Sequence, residues 1–219
     1  MNKVTPAKPL CIILYGFPGA GKTHFARQLS EVIQAAHVNG DRLRYELFEN
    51  PRYDKREDEI IEHLMAYMAD EFLSAGMSII YDVNATRVGQ RRLLRDMARK
   101  ASAEPVLVWM QIDPESAFMR VTKRDRRKAD DKYATPYDQP GFEAYTKQMQ
   151  NPKNEDYLVV SGKHTFNTQR SAIVKKLYEL GLISADSASS NVIKPGLVNL
   201  VPNPAAGRVD TSRRNIIIR

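Results

Sequence analysis

Gly16-Phe17-Pro18-Gly19-Ala20-Gly21-Lys22-Thr23 forms a complete GxxxxGK[ST] phosphate-binding loop, set between the apolar run Leu10–Tyr15 and a helical pattern that begins at Lys22. Strand, loop and helix follow in the order such a loop needs. Gly16, Gly19 and Gly21 let backbone N–H groups turn inward around a phosphate with no Cβ in the way. Lys22 then reaches the β- and γ-phosphates, and the Thr23 hydroxyl is a ligand for Mg²⁺. The helix adds free N–H groups and a partial positive charge at its start. The cofactor expectation is therefore ATP with Mg²⁺, held by Gly16, Gly19, Ala20, Gly21, Lys22, Thr23 and His24.

Working outward, strand-like runs recur at Leu10–Tyr15, Ala36–Asn39, Met77–Asp82, Val106–Ile112 and Tyr157–Val160. Helical patterns over 22–34, 42–48, 56–75, 87–101, 114–126, 141–150 and 168–181 separate them. This alternation predicts an α/β fold, three layers around a parallel sheet of about five strands, with a helical lid. Residues 1–182 read as one kinase-like domain. From 183 to 219 the composition turns to Ser, Ala and scattered Pro, which predicts an extended or disordered extension.

The bulk composition narrows the class further. No run of about 18 apolar residues occurs, and the polar N-terminus lacks the stretch of a secretory signal. Cys11 is the single cysteine, so no internal disulfide forms and a cytoplasmic protein is expected. The four histidines show no zinc-ligand spacing. Of the net charge of +7, the segment from Asp186 carries +3, from five basic against two acidic residues.

Four further features bear on chemistry. Asp41 and Arg44 stand at the mouth of the second strand, three residues apart on the first turn of a helix. A phosphoryl transferase needs an acceptor-side base, and Asp41 fits that role, with Arg44 holding an anion on the acceptor. The plain alternative for Asp41 is an N-cap. Asp82 closes a buried strand, the usual place for a carboxylate that meets magnesium or its waters. Asn84 follows, either touching the acceptor or capping the next helix. Between Arg120 and Lys132, seven basic and three acidic residues suit a cationic flap over the transferring phosphoryl group. Finally, Arg87, Arg91, Arg95 and Arg99 recur every fourth residue, predicting one slanting cationic ridge. Such a ridge is either a solvated face or a track for a phosphate backbone.

Taken together, the loop, Asp41-x-x-Arg44, Asp82 with Asn84, and the arginine-rich flap resemble the kinase domain of phage-type polynucleotide 5′-hydroxyl kinases, over roughly residues 8–182. The resemblance implies in-line transfer of the ATP γ-phosphate to a 5′-OH of DNA or RNA. It assigns phosphates and magnesium to Lys22 and Thr23, the base to Asp41, and the acceptor's 3′ phosphate to Arg44. Arg124 and Arg127 become the flap residues, with Arg126 and Lys128 equally near. Thr23 and Asp82 form the metal pair, and Asp41, Arg44, Asn84 and Arg87 the acceptor-binding set. The expected partners are nucleic-acid 5′ ends, without a membrane, and a homo-oligomer is left open. A small-molecule hydroxyl, as on a nucleoside, sugar, sugar nucleotide or antibiotic, remains the alternative acceptor. A third possibility is an ATP-driven switch that docks a partner through the tail.

Overall fold

A computed structural model describes residues 3–125, 127 and 131–192. Its centre is β1 (Leu10–Tyr15), whose six residues are all buried. A strand covered on both faces has no solvent side, so its sequence is a continuous apolar run rather than an alternation. β1 pairs in parallel with β3 (Ile79–Asp82) and β4 (Glu104–Gln111), placing Ile12 beside both Ile80 and Val106. β2 (Ala36–Asn39) and β5 (Leu158–Ser161) complete a parallel sheet in the order β2-β3-β1-β4-β5.

Alternate residues of β1 feed two different cores. Leu10, Ile12 and Leu14 pack with α1 (Lys22–Ile33), α7 (Phe166–Glu179) and α8 (Ala185–Asn191). Cys11, Ile13 and Tyr15 pack with α3 (Lys55–Ser74) and α4 (Val88–Lys100). Burial pushes the Cys11 thiol up to about 12, which leaves it an inert core group. The chain order leaves β1 between two strands reached in opposite directions, and in such sheets the ligand crevice opens beyond the carboxyl ends of the strands. The loop, Asp41 and Asp82 all follow or close strands at that edge. Among the described residues no helix is long and apolar enough to cross a membrane.

Two expectations about the elements need correction. The flap helix was expected to reach 126, but α5 (Pro114–Thr122) is capped by Lys123. Beyond it, Lys123 and Arg127, and Arg124 and Lys128, would stand one turn apart as like charges, which disfavours continuation. The lid resumes at α6 (Gln139–Lys147), where the Asp138 side chain accepts from the Gly141 N–H. The second correction concerns the extension. Its first residues are folded: Ile183 is buried, Ser184 caps α8 by accepting from the Ser187 N–H, and Ala188 is buried against the α1/α7 layer. A seven-residue helix has no stability of its own and takes it from that packing, so Ser/Ala composition alone hides it. Residues 193–219, with Arg126 and Lys128, lie outside the described residues.

Candidate active site

The phosphate-binding loop is shaped by close backbone approaches. Gly19 has φ +84°, and a Cβ there would stand 2.2 Å from the carbonyl oxygen of Ala117 on α5. Gly21, at φ 93°, is the N-cap of α1. Replacement of Gly19 by alanine therefore combines a left-handed backbone with a clash against main chain that cannot rotate away. Gly19→Ala is expected to lower both the melting temperature and ATP affinity, the latter by at least about tenfold, measured by calorimetry and nucleotide titration.

Lys22 donates to the carbonyl oxygens of Gly16 at 2.8 Å and Phe17 at 3.0 Å, so it lies coiled inside its own loop. Burial pushes its ammonium down to about 8, against the attraction of Asp82 and Asp41 and with the help of Arg124. A phosphate needs the charged form. ATP binding above that value must take up a proton, and affinity is expected to fall as pH rises through about 8. The loss approaches tenfold per pH unit, read by titrating a fluorescent ATP analogue between pH 7 and pH 9.5.

Asp41 is not the N-cap of α2 (Gly40–Leu47). That role belongs to Asn39, whose side chain accepts from the Arg42 N–H at 2.6 Å. Gly40 carries this turn close to α3 and Val83: a Cβ there would meet Met65 Sδ and Val83 Cγ2 at 2.8 Å. Freed from capping, Asp41 faces the cleft, where its Oδ1 accepts from the Thr135 hydroxyl at 2.9 Å. Burial holds its carboxyl above the ordinary carboxylate range; the Thr135 hydrogen bond, Arg124 and Lys22 oppose the shift.

Asp82 closes β3 and is buried, with Oδ2 accepting from Asn39 Nδ2 at 2.5 Å and bonded to His37 Nε2 at 2.9 Å. It shares the cleft with Lys22, Thr23 and His24. A hydroxyl and a carboxylate at the mouth of a phosphate loop are hard oxygen donors, the type Mg²⁺ takes together with phosphate oxygens and water. Thr23 and Asp82 thus fit the ion as partial ligands. Among the described residues no cluster of three His, Cys, Asp or Glu could hold a metal without a bound phosphate.

The remaining residues divide. Arg124 is brought to the site: its guanidinium donates to the Thr135 carbonyl oxygen at 2.7 Å and acts on both Lys22 and Asp41. Arg127 is not. It is exposed and forms a local fork with the Asp125 carboxylate at 2.9 and 3.1 Å, outside the cleft lining. Arg44 lines the cleft, yet it is buried against Glu57 at 2.9 Å and against Asp58, with its guanidinium 5.1 Å from the Tyr53 ring centre. Its charge is already matched by two carboxylates. Asn84 neither caps α4 nor points only to the cleft: its Oδ1 accepts from the Gly16 N–H at 3.1 Å, bracing the start of the loop. Arg87 is exposed at the cleft wall.

The slanting arginine ridge does not exist as a surface. Arg91 is fully buried, donating to Glu155 from Nε and Nη2 and to the Ala85 carbonyl oxygen at 2.7 Å, while Arg95 also reaches Glu155. Four-residue spacing drifts around a helix, and here the drift carries the second and third arginines onto the inner face. Arg99 remains outside, paired with Asp96 at 3.5 Å.

Sequence reasoning missed several lining residues. Thr135 sits on the loop before α6, and Tyr53, Tyr137 and Tyr145 supply aromatic walls. None belongs to a motif, and only the fold brings them to one cleft. Arg120, noted in the sequence as part of the basic run, donates to the Gly162 carbonyl oxygen at 2.8 Å beside the phosphate loop. The cleft measures about 1780 Å³, well above the few hundred to about 1,000 Å³ of ordinary small-molecule sites. It has room for a nucleotide and a second substrate together.

The sequence profile of AAA domains, AAA_33, matches residues 11–141, from β1 through the loop, Asp41 and Asp82 to the start of α6. The chain belongs to this AAA domain family. Its P-loop kinase-like fold recurs in a gluconokinase from Sinorhizobium meliloti, at 15% identity and TM-score 0.57 over 78% of this chain and 93% of the other. The Mycobacterium tuberculosis APS kinase in complex with AMPPNP and APS is similar at 19% identity and TM-score 0.53, covering 80% and 99%. A chain of the Pnkp1/Rnl/Hen1 RNA repair complex aligns at 22% identity and TM-score 0.52 over 64% of this AAA domain protein and 44% of that chain. At these identities the likeness is one of fold. No curated protein matches in sequence.

Proposed function

We propose that this AAA domain protein is an ATP-dependent kinase that passes the γ-phosphoryl group to a hydroxyl, with the 5′-OH of a nucleic-acid end as acceptor. The observation that carries the transfer is Asp41, a half-buried carboxylate facing the same cleft as Lys22, Thr23 and Asp82 and already bonded to an alcohol. Loop amides, Lys22 and Arg124 hold the donor phosphates, Thr23 and Asp82 would hold Mg²⁺, whose charge would offset that of the phosphates, and Asp41 takes the acceptor's proton. The nucleic-acid acceptor draws support from Tyr53, Tyr137 and Tyr145, whose rings offer stacking surface to a base, and from the resemblance of Asp41-x-x-Arg44 to the polynucleotide kinases.

One observation favours a second reading, a small-molecule alcohol. Arg44 is matched by Glu57 and Asp58, and Arg91 and Arg95 serve Glu155, so fewer cations are available to a phosphate backbone than the sequence suggests. The deciding experiment incubates the protein with labelled ATP, Mg²⁺ and a 5′-hydroxyl oligonucleotide across about 50 to 200 mM salt. Labelled oligonucleotide whose formation weakens steeply with salt supports the first reading. Transfer to sugars or nucleosides with a flat salt response supports the second, and hydrolysis without any labelled acceptor rejects both.

A further inference from the structure

The lid presents a hydroxyl of its own to the candidate base. Thr135 Oγ1 donates to Asp41 Oδ1 at 2.9 Å, within the reach expected of an acceptor alcohol and its base. Several contacts hold it there. Arg124, itself in the field of Lys22, donates to the Thr135 carbonyl oxygen. Two residues earlier, the Tyr133 ring packs on Tyr45 of α2 with centres 5.1 Å apart. The Lys132 ammonium lies 4.9 and 5.5 Å from those two rings. The loop is thus latched to the helix that carries Asp41, with Thr135 in the cleft that the phosphate loop lines.

We infer that Thr135 is a site of self-phosphorylation, an internal alcohol standing where the external acceptor must bind. The inference rests on the kinase reading given above. In the step, a bond forms between Thr135 Oγ1 and the γ-phosphorus of bound ATP as the bond from that phosphorus to the β,γ-bridging oxygen breaks. The hydroxyl proton passes to Asp41 Oδ1, and the products are phosphothreonine and ADP. The new dianion then lies against the Asp41 carboxylate and closes the acceptor position. The modification therefore restrains the enzyme when acceptor is scarce.

The full-length chain, incubated with ATP and Mg²⁺ and then with a 5′-hydroxyl oligonucleotide, tests this by peptide mapping and oligonucleotide labelling in parallel. One phosphate on Thr135 is expected in the wild type. It should move to phosphoserine in Thr135→Ser and vanish in Thr135→Val, Lys22→Ala and Asp41→Asn. Because transfer is intramolecular, wild-type protein should not label Lys22→Ala in a mixture. Label on the oligonucleotide with Thr135 unmodified overturns the inference and leaves the kinase reading standing. Thr135 modified with no labelled oligonucleotide or small alcohol sustains the inference and removes the proposed acceptor. Phosphate on Tyr133 or Tyr137 instead, or on Lys22→Ala alone, overturns it, as does the absence of any phosphoryl transfer.

Discussion

Asp41→Asn is expected to lower turnover of the acceptor by about 10²- to 10⁴-fold while leaving ATP binding within a few-fold of the wild type. Asparagine keeps the shape of the carboxylate and its acceptor oxygen toward Thr135, so the lid contact survives. What it loses is the ability to take a proton as the new bond forms. Because burial raises the Asp41 carboxyl, the wild-type rate should fall on the acid side at a pH above the ordinary carboxylate value of about 4, and this limb should disappear in the variant. Rapid-quench single turnovers at several pH values measure both. A variant that loses ATP binding and turnover together would place Asp41 on the donor instead.

Glu155→Ala carries the largest expected stability effect. Glu155 is the shared partner of Arg91, which is fully buried, and Arg95, which is largely so, and removing it leaves a guanidinium uncompensated in the core between β1 and α4. Breaking a buried pair from one side costs about 3 to 5 kcal/mol, a drop in melting temperature on the order of 10 °C for a chain of this size. The Arg91→Met/Glu155→Leu double variant should recover most of that loss, because no charge is then stranded. If both single and double variants melt like the wild type, the pair is solvated and the description of this interior is wrong. The same change probes the site, since Arg91 lies 5.2 Å from the centre of the Tyr15 ring, immediately before Gly16.

Legibility in the sequence followed the range of the forces involved. The five strands and the phosphate loop are local patterns, an apolar run or fixed glycines, and they stand at or within two residues of their predicted starts at β1, β2 and β5. Asp41 and Asp82 were readable because strand ends project into the crevice. Arg91 was misread because charge on a helix looks like surface until the opposing carboxylate arrives from afar, Glu155 being sixty-four residues away; Arg44 does stand on the cleft, and only its pairing with Glu57, thirteen residues on, was not legible. Thr135 could not be found at all: it lies ninety-four residues from Asp41, in a loop whose composition signals only a turn.

Helix α8 also sets where the chain can be cut. A fragment trimmed at residue 182 would strip Ile183 and Ala188 from the cluster that holds Val174 and Leu177, uncovering apolar surface on the face of the sheet that α1 and α7 cover. Such a fragment would keep the catalytic groups and still tend to self-associate and precipitate. Expression boundaries belong beyond Val192.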